Sequence, residues 1–124
     1  MSELRTGTLS DAAGTGPTTL TGQSASKSWV NFNGKSTVAI TESFNISSLT
    51  DDGTGDYSVD FTNGMNTTTY AVADQCYVTD NSSYCGTTMW HAKTASSVDV
   101  RTLSTGFGNI DSEECCAVIM GDLA

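Results

Sequence analysis

Tyr57-Ser58-Val59-Asp60-Phe61 is the stretch on which the fold class turns. Its apolar residues alternate strictly with polar ones, the period of a strand with one covered face and one wet face. Immediately upstream, Asp51-Asp52-Gly53-Thr54-Gly55-Asp56 has the composition of a loop, and downstream Asn63-Gly64 closes the strand. Working outward, short β-type runs recur between turn clusters. Trp29 to Phe32 is followed by Asn33-Gly34, the dipeptide best suited to a type I′ hairpin turn. Thr37 to Ile40 comes next, then Glu42 to Leu49, in which Phe44 and Ile46 are expected to share a face. Tyr70 to Ala73, Cys76 to Thr79, Tyr84 to Ala92 and Val98 to Leu103 continue the series. Cys115 to Met120 is an unbroken apolar run, which predicts a central or doubly covered strand.

No window carries a helical period bounded by a cap and a glycine stop. Many short strands with turn signals between them predict an all-β domain, an antiparallel β-sandwich or small barrel-like knob, over residues 28–124. Residues 1–27 differ. They hold no aromatic residue, their leucines (Leu4, Leu9, Leu20) are isolated, and Gly14-Thr15-Gly16-Pro17 breaks any regular element. Such a segment cannot bury enough area to order itself, so it is expected to be an extended N-terminal assembly arm that lies on something else.

The 124 residues fit one domain. Serine (16) and threonine (20) supply 36 of them, so the composition is small and polar and suits strand surfaces and turns. Fourteen acidic against five basic side chains give 5 − 14 = −9, a poor balance for sequence-independent nucleic-acid binding. No apolar run approaches the roughly 20 residues of a membrane-spanning helix, so no membrane insertion is expected. No apolar stretch follows Met1-Ser2-Glu3-Leu4-Arg5, and no signal peptide is expected. Two Trp, four Tyr and four Phe in regularly spaced clusters argue against wholesale disorder.

The segment from Lys27-Ser28-Trp29-Val30-Asn31-Phe32-Asn33-Gly34 through Ser43-Phe44-Asn45-Ile46-Ser47-Ser48, the acidic Gly-rich loop ending Gly55-Asp56-Tyr57, and the alternating strand to Phe61 resembles a known family. It is similar to the short β-domain of tail-fibre and related virion proteins of tailed bacteriophages. The likeness spans roughly Ser10 to Met65, including Gly14-Thr15-Gly16-Pro17 and Gln23-Ser24-Ala25 as the approach. The resemblance implies a non-enzymatic virion component, a fibre, fibre tip or tail appendage, assembled in the host cytoplasm and usually trimeric. This chain is short and has no repetitive shaft, which favours a compact tip, adaptor or decoration protein. The arm would then dock onto other virion proteins, and loops of the domain would face a host cell-surface glycan. A capsid decoration protein and a soluble carbohydrate-binding module are the alternatives.

Individual residues add few constraints. Cys76, Cys85, Cys115 and Cys116 allow three connectivities if all are bridged. A disulfide between Cys76 and Cys85 would cross a hairpin around Asp80-Asn81-Ser82-Ser83. Cys115 and Cys116 point to opposite faces of a strand, so a bridge between them would be strained. Assembly in a reducing cytoplasm weighs toward free thiols. No Cys-x-x-Cys pair is present and His91 is the lone histidine, so neither a metal nor any other cofactor is expected. His91 lacks a nucleophile motif, and Asp51, Asp52 and Asp56 lack the ligand order of a calcium loop; no catalytic residue is expected. Three Asn-x-Ser/Thr matches, at Asn45, Asn66 and Asn81, arise readily in so Thr- and Ser-rich a chain. Tyr77, Tyr84 and Trp90 flank one expected hairpin and are the candidate receptor or partner contacts, since aromatic faces bind sugar rings and protein partners; filling the core is their alternative use.

Overall fold

The computed structural model describes residues 25–78 and 85–124, the side chains of residues 85–87 excepted. The fold is an all-β sandwich of eight strands: β1 (Ser28–Asn33), β2 (Ala39–Phe44), β3 (Ile46–Gly53), β4 (Asp56–Phe61), β5 (Ala71–Tyr77), β6 (Cys85–Lys93), β7 (Ser97–Ser104) and β8 (Glu114–Met120). One sheet has the order β2-β1-β8-β5 and the other β3-β4-β7-β6, with every neighbouring pair antiparallel.

The core lies where the alternating faces meet. Val30 and Phe32 of β1 and Cys115, Ala117 and Ile119 of β8 pack against Tyr57, Val59 and Phe61 of β4 and Val98 and Val100 of β7. Burying each large aliphatic or aromatic side chain contributes about 1.5–3 kcal/mol. Two edge-to-face ring pairs cross the layer, Phe32 with Tyr57 at 5.0 Å and Phe61 with Tyr70 at 5.8 Å. Burial, with Cys115 and Asp111 nearby, pushes the Tyr57 hydroxyl well above its ordinary range. It therefore stays protonated and donates to Gly34 O at 2.6 Å.

Several local expectations give way to tertiary demands. Asn33-Gly34 is not a two-residue hairpin turn: Asn33 pairs with Ala39, and a five-residue loop containing Ser36 at φ 64° intervenes. Gly34 serves Tyr57 instead, because a Cβ there would sit 2.5 Å from the phenolic oxygen. Glu42 to Leu49 is not one strand either. Asn45, at φ 59°, turns the chain from β2 in one sheet to β3 in the other. Phe44 consequently faces outward while Ile46 packs on the core. The expected loop at 51–56 is mostly strand, with Gly53 paired to Asp56. Gly55 makes the tight return at φ 63°, where a Cβ would lie 2.7 Å from backbone atoms of Ile110 and Thr102. The runs 70–73 and 76–79 share one strand, β5, of which Ala71–Tyr77 is the extent.

β8 is central, between β1 and β5, but covered on one face only. Val118 and Met120, on its other face, are 37% and 39% exposed. Of the expected arm, residues 1–24 lie outside the described residues; Lys27 N donates to Ile119 O at 2.9 Å, prolonging the β1–β8 pairing, and the Ser26 hydroxyl lies 2.9 Å from Ser28 O and 3.3 Å from Ile119 O.

Candidate functional site

The outer face of the β2-β1-β8-β5 sheet follows from register. Ser28, Val30 and Phe32 point inward, so Trp29 and Asn31 point outward, and their cross-strand partners share that face. One row reads Phe44–Trp29–Val118–Ala73, apolar on all four strands, and the neighbouring pair is Met120–Ala71. Phe44 is 54% exposed. At about 4.8 Å per strand the row is about 14 Å wide. The next row toward the opposite end is Glu42–Asn31–Cys116–Gln75, beyond which Glu114 pairs with Tyr77 and accepts from Asn31 Nδ2 at 2.8 Å. The face thus has an apolar end and a polar end.

The other sheet presents a different outer surface. Asp56, Asp60 and Asp99 stand there beside Arg101, with Asp52 on the edge strand. Arg101 donates through Nη2 and Nε to Asp56 Oδ2 at 2.9 and 3.1 Å. The Ser58 hydroxyl lies 2.5 Å from Asp52 Oδ2 and 3.1 Å from Asp99 Oδ1, and its single proton serves one of them at a time. His91 occupies the register slip of β6 between Trp90 and Ala92. Its Nδ1 is 3.8 Å from Asp56 Oδ1 and its Nε2 is 4.0 Å from Asp99 Oδ2. Among the described residues no group of three or more metal-ligating side chains converges.

The residues singled out by sequence fall in separate places. Tyr77, 57% exposed, stands at the polar end of the outer β5 face. Trp90, 44% exposed, lies at the seam between the edge strands β5 and β6, with the Lys93 ammonium 4.4 Å from its ring centroid. No ring contact joins the two among the described residues, and Tyr84 lies outside them. Cys76 is disulfide-bonded, so the bias toward free thiols fails for this residue. Cys85, its expected partner, opens β6 with its side chain outside the described residues. Cys115 and Cys116 are free, one buried and the other half-buried, as their alternation across β8 requires.

The sequence pattern does not point to a cavity of about 490 Å³ at the apolar end of the sandwich. Residues 62–69 form an irregular crossing whose Met65 is buried and pairs with Leu123. Asn66 N donates to Asp122 O at 2.7 Å, and Ala124 N to Gly64 O at 3.0 Å, so the crossing is stapled to the residues after β8. Between them, Asn66, Thr67, Thr69 and Asp122 supply polar groups, and Met120 and Ala71 an apolar wall. Gly121 forms the floor against Tyr70, where a Cβ would approach the Tyr70 Cβ to 2.7 Å. Burial, with Asp99 nearby, pushes the Tyr70 hydroxyl up to about 12. It donates to Ser97 O at 2.7 Å and lies 3.0 Å from Thr94 O, fixing the ring from behind. Among the described residues no helix is long and apolar enough to cross a membrane. Comparison with protein-family models, with curated proteins and with solved structures finds no match for this chain.

Proposed function

We propose that this chain is a non-enzymatic structural component of a tailed-phage virion, of the tail-fibre or tail-appendage type. It assembles as a homotrimer, and the N-terminal arm expected over residues 1–27 reaches onto neighbouring virion proteins. The observation that carries the reading is the apolar row Phe44–Trp29–Val118–Ala73 with Met120, open to solvent across a whole sheet. Contiguous exposed apolar surface of this kind marks a protein contact, and a small sandwich cannot cover it alone. The charge distribution supports the same approach direction, because copies meeting through this row keep their Asp56, Asp60 and Asp99 faces apart. Lys27 N, near the start of the described residues, donates to Ile119 O at the apolar end. A fully extended stretch of 24 residues spans at most about 80 Å, several times the width of the row. The resemblance of residues 10–65 to fibre-type virion domains supplies the particle.

Two measurements test it. Light scattering after size exclusion gives a trimer for the full chain and a weakened one for a chain starting at Ala25, which keeps the Ser26 and Lys27 hydrogen bonds. A monomer in both forms removes the assembly reading. Antibody labelling of intact particles then places the protein at the tail; label on the head instead makes it a capsid decoration protein, and no label removes the virion reading.

A further inference from the structure

We propose that the cavity between the 62–69 crossing and Met120–Asp122 binds a neutral saccharide. Its volume, about 490 Å³, lies within the roughly 300–1,000 Å³ of small-ligand sites. The walls are built by backbone hydrogen bonds from Asn66 to Asp122 O and from Ala124 to Gly64 O, so the opening does not depend on side-chain placement. Gly121 packs directly on Tyr70 at this wall, where a Cβ would come within 2.7 Å of the Tyr70 Cβ. The polar groups are of the right kinds. Among the described residues the exposed Asn66 amide and Asp122 carboxylate have no protein hydrogen-bond partner, and the Thr67 and Thr69 hydroxyls, hydrogen-bonded to each other at 2.7 Å, belong to the same lining. A carboxylate accepts from two vicinal hydroxyls, an amide both donates and accepts, and a threonine hydroxyl does either. Sugar hydroxyls offer both functions at each carbon, and the C–H face of a pyranose ring matches the apolar wall of Met120 and Ala71. Asp122 and the net charge of −9 disfavour acidic sugars and phosphates.

The site gives the attachment role of the virion reading a ligand, but it would serve equally in a soluble sugar-binding module. Particle labelling therefore tests that reading and the following experiment tests this one. The full chain, ¹⁵N-labelled, is titrated with neutral hexoses, N-acetylhexosamines and their disaccharides, and separately with glucuronic and sialic acids. At least one neutral sugar is expected to shift the Asn66, Gly121 and Asp122 amides, with the acidic sugars silent. Asp122→Asn leaves the backbone staple and the melting temperature intact and weakens binding about tenfold or more, the usual loss when a charged acceptor becomes neutral. Trp90→Ala leaves binding unchanged. Absence of shifts at the solubility limit of every neutral sugar overturns the proposal. So do shifts centred on Trp90 or Tyr77, and so does equal response to the acidic sugars.

Discussion

Asn45 is the residue on which the two-sheet arrangement depends most locally. It holds φ at 59°, donates from Nδ2 to Lys27 O and Asn63 O, and accepts from Asn63 N at 2.8 Å. A left-handed alanine costs about 1–2 kcal/mol and each lost hydrogen bond about 1 kcal/mol more. Asn45→Ala is therefore expected to lower unfolding free energy by roughly 4–5 kcal/mol in urea titrations, and Asn45→Gly by less, because glycine accepts the backbone angle. The adjacent cysteines of β8 make a second case. Burial pushes the Cys115 thiol up to about 12, whereas Cys116 lies half-buried on the outer face. Alkylation of the native protein at pH 8 should modify Cys116 and leave Cys115 untouched until denaturant is added, read by intact mass.

Edge strands β5 and β6 belong to different sheets and meet at Asp74, whose Oδ1 accepts from the Thr88 hydroxyl at 3.1 Å while its Oδ2 is buried without a hydrogen-bond partner. Desolvation raises the Asp74 pKa above the ordinary 3.8, despite the hydrogen bond from Thr88. A carboxyl with a raised folded-state pKa binds its proton more tightly folded than unfolded. Its contribution is complete below the unfolded pKa and is lost as pH rises through the folded one. The urea midpoint should accordingly fall across that interval, and Asp74→Asn should remove this part of the pH dependence. Strands such as β4 and β7 were legible in the sequence because alternation records which face is covered. The corners were not. Asn33-Gly34 carries a turn signal, yet its glycine answers to a tyrosine 23 positions away, and nothing in Glu42 to Leu49 except one asparagine marks a change of sheet. The apolar run of β8 gave its central place correctly, but alternation cannot say that its outer face is uncovered. The cavity joins residues 66–71 to 120–122 through backbone bonds, for which no side-chain pattern exists.

At the scale of the molecule the two outer surfaces oppose each other in character, one apolar at one end and the other acidic. Phe44 is half exposed, so Phe44→Ser should change monomer stability by no more than about 0.5 kcal/mol while lowering the native mass found by light scattering. Added salt should strengthen association of the wild type, since it screens the charge of −9 that copies share. The same two-sidedness gives the protein an optical vocabulary. It has two tryptophans: Trp29 lies in the apolar row, and Trp90 lies under the Lys93 ammonium at the β5–β6 seam. With Trp90→Phe in place, emission comes from Trp29 alone, and its shift to the blue as subunits join would report coverage of one face without any attached dye. With Trp29→Phe instead, the remaining indole would stay dark to assembly and respond to whatever disturbs the seam.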